Sequence, residues 1–190
     1  MDTTKKKRCN WLKDDDLYIE YHDREWGVPV YDDAKIFESL LLETFQAGLS
    51  WITILRKREN FRRAFNNFDY QKIANYSEKK IKELKSDAGI IRNKLKIKAA
   101  KTNAIAFIEV QKEFGTFSKY IWGFVNGQPI KNNFKSLSEL PINTPLSEKI
   151  SYDLKKRGFK FVGTTIVYAH MQAMGIVNDH TTGCFRYNEV

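Results

Sequence analysis

The stretch Leu40-Leu41-Leu42-Glu43-Thr44-Phe45-Gln46-Ala47-Gly48-Leu49-Ser50-Trp51 constrains this chain more than any other. It starts as the end of an amphipathic helix, with Ile36, Phe37, Leu40 and Leu41 at helical spacing. Gly48 then reads as a helix stop, and Ser50 as the N-cap of a second helix that begins at Trp51. The join therefore holds a carboxylate, a leucine and a tryptophan close together. A carboxylate that follows three leucines is costly to bury without a partner. Glu43 either faces water on the polar side of its helix or serves a site that uses its charge.

The remaining elements follow from caps and periodicity. Asp32 or Asp33 caps the helix that runs to about Gln46, and the second helix runs from Trp51 to about Arg62. Asp69 and Ser77 read as caps of two short helices. The longest periodic segment spans 91–114 and ends at Gly115. Thr116 opens a short aromatic helix, and Thr144-Pro145 opens another that ends at Gly158. Gly163 closes a tight hairpin before a last helix from Thr164 to Met174. The aromatic region from Trp11 to Pro29 predicts one short turn around Asp16 to Tyr21, where Tyr18 and Tyr21 share a face. No alternating run is long enough for a sheet, so the expected fold is all-α, with eight to ten short helices.

The chain has 190 residues, enough to bury a core without staples, and is read as one helical domain over 9–185 between a basic, lysine-rich tail at 1–8 and a short tail at 186–190. Its net charge of +9 favours a polyanionic partner. No run approaches the roughly 20 apolar residues of a membrane span, and no apolar segment follows the basic start, so a cytoplasmic monomer is expected. Cys9 and Cys184 are the two cysteines, and a disulfide between them is disfavoured in a reducing compartment. Cys9 and His22, with twelve residues between, and His180 and Cys184, with three, make a Cys₂His₂ set of zinc-compatible types. Spacing alone is a weak signal, and on it two buried cysteines with two unrelated histidines are the simpler reading.

Residues 154–165 read as helix, five-residue hairpin, helix. Such a hairpin is generic by default or aims backbone N–H groups at a DNA phosphate, and Lys155, Lys156, Arg157 and Lys160 add some weight to the second reading.

Four stretches in order, 18–29, 46–53, 87–92 and 156–163, together with 40–60, resemble the bacterial 3-methyladenine DNA glycosylase I family of the helix–hairpin–helix superfamily. The resemblance covers Cys9 to Cys184. It implies a base-excision-repair enzyme that hydrolyses the N-glycosidic bond of 3-methyladenine in double-stranded DNA after flipping the base into a pocket. It implies Trp11, Tyr18, Tyr21 and Trp51 as the base-stacking rings, and Glu43 as the group on the base edge. It assigns Gly158, Lys160, Gly163 and Thr164 to DNA binding, and Cys9, His22, His180 and Cys184 to one structural zinc ion joining the termini. No nucleotide cofactor is implied. Where strand-cutting relatives carry a lysine two residues after the hairpin glycine, this chain has Thr165, which implies excision without lyase activity.

Leu49 is either a wedge that fills the gap left by the flipped base or a core leucine. Asp179 is either the superfamily aspartate or an orienting partner of His180. His170 reads as a packed or surface residue. Thr44-Phe45 stands where the family often has Gly-Gln, and Asn10 where it often has glycine. A zinc-stabilised DNA-binding module without catalysis, or a helical adaptor with an incidental basic surface, are the competing classes.

Overall fold

The computed structural model describes residues 6–46 and 48–190. The expected basic arm therefore lies outside the described residues at positions 1–5, as does Ala47. Among the described residues the chain forms nine α-helices: α1 (Asp16–Arg24), α2 (Asp33–Gln46), α3 (Trp51–Ala64), α4 (Tyr70–Ala74), α5 (Glu78–Ser86), α6 (Lys94–Phe114), α7 (Phe117–Gly123), α8 (Pro145–Lys156) and α9 (Thr164–Ala173). No helix among them is long and apolar enough to cross a membrane.

Local chemistry sets most of the boundaries. Asp69, Ser77 and Thr116 each accept a backbone N–H of the following turn. Thr144 and Ser147 form a reciprocal capping box with Pro145 at the first helical position. Gly48 at φ 85° and Gly115 at φ 84° take the left-handed conformation that ends a helix at little steric cost.

Three expectations are corrected. The Asp16–Tyr21 turn is a full helix, α1, because Asp15 caps it and its aromatic face is buried against α3. The long helix starts at Lys94, since Asn93 accepts the N–H groups of Leu95 and Lys96. A two-residue parallel bridge joins β1 (Ile130–Lys131) to β2 (Val177–Asn178). Two residues are too few to show alternation, and this bridge ties the 132–143 loop to the C-terminal segment.

The main core is aromatic, built on Phe37, Phe45, Phe61, Phe65, Phe107 and Phe117, with the rings of Phe107 and Phe117 stacked at 4.1 Å. A second, smaller cluster holds Cys9, Tyr21, Trp26, Leu55 and Cys184, with Trp11, Tyr18, Trp51 and Phe185 against it. It joins α1 and α3 to the C-terminal segment. Arg8 is clamped on Asp23 by bonds of 2.9 and 2.7 Å, and Lys6 lies 4.4 Å from the Phe185 ring centroid. At the other end, the Asn178 amide donates to the carbonyls of Tyr187 and Val190.

Candidate active site and metal centre

A cavity of about 250 Å³ opens between the two clusters, lined by Trp11, Tyr18, Tyr21, Glu43 and Trp51. It is smaller than the roughly 300–1,000 Å³ of sites for drug-sized ligands, a scale suited to one flat ring system. The five residues expected at a base pocket thus come together. Trp11 and Tyr18 meet at 5.0 Å between ring centroids, and Tyr21 and Trp51 at 5.5 Å. Trp26, Gln46, Leu137, Leu140, Ala169 and Gln172 complete the lining and were absent from the expected site. Trp26 stands five residues after Tyr21 and had a visible signal. Leu137, Leu140 and Gln172 arrive from distant segments and had none.

Glu43 does not face water. It sits on the buried side of α2 at 3% exposure, and its Oε2 has no hydrogen-bond partner. Burial pushes its carboxyl up to about 8. Burial, with the Glu43 charge adding to it, also raises the hydroxyls of Tyr18 and Tyr21, so both stay protonated. The indole N–H groups of Trp11 and Trp51 are likewise buried without a partner. Unsatisfied buried polar atoms cost about 1–3 kcal/mol each. Three of them lining one aromatic cavity mark a place that a polar, flat ligand completes. Thr44 lies outside this lining, because its hydroxyl donates to the Leu41 carbonyl at 2.7 Å within its own helix.

Behind the pocket, Cys9, His22, His180 and Cys184 gather into a buried group whose ligand atoms all lie within 4.8 Å of one another. The two thiols are free rather than joined in a disulfide. Cys184 Sγ lies 3.5 Å from both His22 Nε2 and His180 Nδ1, and Cys9 Sγ lies 3.6 Å from His180 Nδ1. A tetrahedral ion with metal–sulfur bonds of about 2.3 Å and metal–nitrogen bonds of about 2.05 Å spans sulfur–nitrogen edges of about 3.6 Å. The donor set therefore fits a four-coordinate metal ion. Each imidazole is fixed through its other nitrogen, His22 Nδ1 by Asp23 at 2.8 Å and His180 Nε2 by the Trp26 carbonyl at 3.0 Å.

Asp179 is not the partner of His180. It is buried and accepts bonds from Asn132, Tyr168 and Gln172 at 2.6, 2.6 and 2.8 Å. His170 is a packed residue, with Nδ1 3.2 Å from the Ser39 hydroxyl, and burial lowers it to about 3, which keeps it neutral.

The hairpin between α8 and α9 turns through Gly158 at φ 96° and Phe161 at φ 58°, anchored by buried Phe159 and Val162. Lys160 and Thr165 are exposed, and Gly163 and Thr164 open α9. Arg157 departs from the expected phosphate-facing set. Its guanidinium is held by Glu113 at 2.6 Å and Asp153 at 2.6 Å. Leu49 is 39% exposed at the turn between α2 and α3, which removes the core-leucine alternative.

A helical scaffold with a hairpin before α9 and a carboxylate in an aromatic box defines a pocket shaped for one flat, polar ring. The methyladenine glycosylase family model matches residues 11–187, and the chain belongs to that family. It is 51% identical to DNA-3-methyladenine glycosylase 1 of Escherichia coli (strain K12), over 95% of this chain and 97% of that one. A crystal structure of 3-methyladenine DNA glycosylase I superposes with a TM-score of 0.92 at 51% identity, covering 94% and 98% of the two chains. The 3-methyladenine DNA glycosylase I of Staphylococcus aureus, solved to explain 3-methyladenine recognition, gives a TM-score of 0.91 at 34% identity over 94% and 95%.

Proposed function

We propose that this protein is a monofunctional DNA glycosylase that releases 3-methyladenine from alkylated double-stranded DNA, acting as a cytoplasmic monomer in base-excision repair. The observation that carries this reading is Glu43, a buried carboxylate with an unpartnered oxygen inside a box of four aromatic rings. The named activity of relatives at about half identity supports it.

Methylation at N3 leaves the nucleotide's base positively charged, so its glycosidic bond is already weak. The bond breaks with its electron pair moving to the base, which departs as neutral 3-methyladenine. The sugar carbon is left cationic. Water adds to it with loss of a proton, giving an abasic site. No strong general acid is needed. Extrusion brings the base between the rings, where stacking and cation–π attraction suit a flat cation. Glu43 accepts hydrogen bonds from the base edge and balances its charge. These contacts stabilise the bound ground state, and they weaken as positive charge moves to the sugar. Glu43 therefore selects the lesion, while rate comes from extrusion, orientation and the surrounding negative potential. Thr165 offers a hydroxyl where an amine would be needed to attack the sugar, so the strand stays uncut.

Zinc is the ion proposed for the Cys₂His₂ group. Four protein ligands leave no open position, so its contribution is structural. It closes the C-terminal segment over the N-terminal aromatics that wall the pocket.

The N–H groups that follow Lys160 in the hairpin, with the Lys160 side chain, hold a backbone phosphate, while the Gly158, Phe159 and Lys160 N–H groups are bonded within the protein. Leu49 enters the duplex behind the flipped base. Leu49→Ala is expected to weaken binding to an abasic-site duplex about tenfold, with little change in melting temperature because the side chain is exposed. A gel-shift titration beside a thermal melt checks both; unfolding, or unchanged affinity, would count against the wedge.

The pocket also predicts a pH dependence. Glu43 titrates near 8 in the empty fold. A cationic base takes the carboxylate form, so it must displace a proton below that pH. Preference for lesion DNA over undamaged DNA should fall as pH drops from about 8 toward 6, by up to about tenfold per unit. Titrations of both duplexes across that range decide it, and a flat ratio would remove Glu43 from recognition of the charge.

A further inference from the structure

α6 carries two buried polar side chains on its core side, and both are spent on the backbone of other elements. Lys96, 5% exposed, reaches the end of α2 and donates from Nζ to the Phe45 carbonyl at 3.0 Å. Asn103, 1% exposed, reaches the hairpin and clasps Lys160 by both peptide groups, accepting its N–H at 2.8 Å and donating to its carbonyl at 3.1 Å. The two positions are seven apart, so they stand on one face of the helix, separated along its axis by about 10.5 Å.

We infer that this face of α6 sets the distance between the turn that carries Leu49 and the hairpin that holds phosphate, with Lys96 and Asn103 as positioning residues for DNA engagement. This rests on the DNA-contact reading of Leu49 and the hairpin given above. A methionine and a leucine would cost less to bury at these two places than a lysine and an asparagine. What the polar pair adds is direction. The ammonium satisfies a carbonyl in the last turn of α2, where the helix dipole favours a cation, immediately before the turn in which Leu49 N–H bonds the Gln46 carbonyl at 2.7 Å. The asparagine amide gives the irregular hairpin peptide the donor and acceptor that a neighbouring strand would otherwise supply. Neither residue lines the base pocket. One rigid helix thus references two DNA-contacting elements that have no regular secondary structure of their own. A duplex presents its base gap and its phosphates at fixed separation, and a misplacement of about 1 Å in such paired contacts is enough to lose much of their joint effect.

The test compares Lys96→Met, Asn103→Ala, Leu49→Ala and the two double variants with Leu49→Ala, each with two probes. The first is affinity for a duplex bearing a tetrahydrofuran abasic-site analogue; the second is affinity for free 3-methyladenine, followed by tryptophan quenching. Lys96→Met and Asn103→Ala are each expected to weaken duplex binding about tenfold while free-base affinity stays within about twofold. Lys96→Met should add almost nothing on top of Leu49→Ala, because both act through the same turn, whereas Asn103→Ala should add its full effect. The inference is overturned if duplex affinity is unchanged, if base and duplex affinity fall together, or if Lys96→Met and Leu49→Ala are additive. A Leu49→Ala variant that binds the duplex like wild type instead refutes the wedge, and with it the Lys96 half; the Asn103 result then decides the hairpin half separately.

Discussion

Glu43→Gln is expected to weaken binding of lesion-bearing DNA about 100-fold while making the protein more stable. The two effects share one cause. The substitution keeps the shape of a side chain buried between α2 and the aromatic box, but removes its charge. For the ligand, a charge-assisted contact to a cationic base is lost, and single-turnover cleavage at saturating enzyme should fall less than affinity does. For the fold, the folded carboxyl titrates at about 8 instead of its ordinary 4.5. Between those values the folded state holds a proton that the unfolded chain has released. Stability therefore declines as pH rises from 4.5 to 8, by up to about 1.4 kcal/mol per unit. Glutamine has no such proton. The melting temperature of the variant should match wild type near pH 5 and exceed it by several degrees near pH 9. Differential scanning calorimetry at the two pH values, beside lesion-DNA titrations, measures both arms. Intact lesion affinity with abolished cleavage would mean that Glu43 drives the reaction rather than selecting its substrate.

Removing the metal is the second large effect. The four ligands come from the N-terminal segment, α1 and the 180–184 segment, so a bound ion would cross-link three parts of the chain that otherwise meet only through the small second cluster and a few polar contacts. Trp11 follows Cys9 by two residues and packs on Trp26 at 5.0 Å and His22 at 5.3 Å, while Trp26 packs on His180 at 4.6 Å. One wall of the pocket is therefore built directly on the ligand shell. Chelation, or Cys184→Ala, is expected to lower the melting temperature by about 10 °C or more and to abolish free-base binding. The α8–α9 hairpin is packed on the main core and should still bind undamaged DNA. Elemental analysis should find one zinc per chain. A metal-free protein with wild-type melting and base affinity would contradict this account of the centre.

The sequence was most legible where structure is local. Asp69, Ser77, Thr116 and Thr144-Pro145 each set a helix start through a bond to their own next turn, which a short window reveals. Ser50 shows the limit, because it precedes α3 as expected but its hydroxyl pairs with Thr53 instead of capping a backbone N–H. α1 was underestimated because tertiary burial of its aromatic face, not its residue propensities, completes it. Glu43 drew notice as a misplaced carboxylate, but its four rings and the metal ligands were linked by family resemblance, not by anything local. Two neighbour-based readings, His180 as the partner of Asp179 and a phosphate as the partner of Arg157, do not hold for one reason. A charged residue's sequence neighbours suggest a role, but its partners are chosen in space, here Tyr168 and Gln172 for the first and Glu113 for the second.

The most direct test is to incubate the zinc-loaded protein with DNA treated with a methylating agent and identify what is released by chromatography and mass spectrometry. Free 3-methyladenine should appear, leaving strands that break only after alkali opens the abasic sites, and Glu43→Gln should release far less at limiting enzyme. A protein that binds the same DNA yet releases no base would contradict the assignment and make it a DNA-binding module instead.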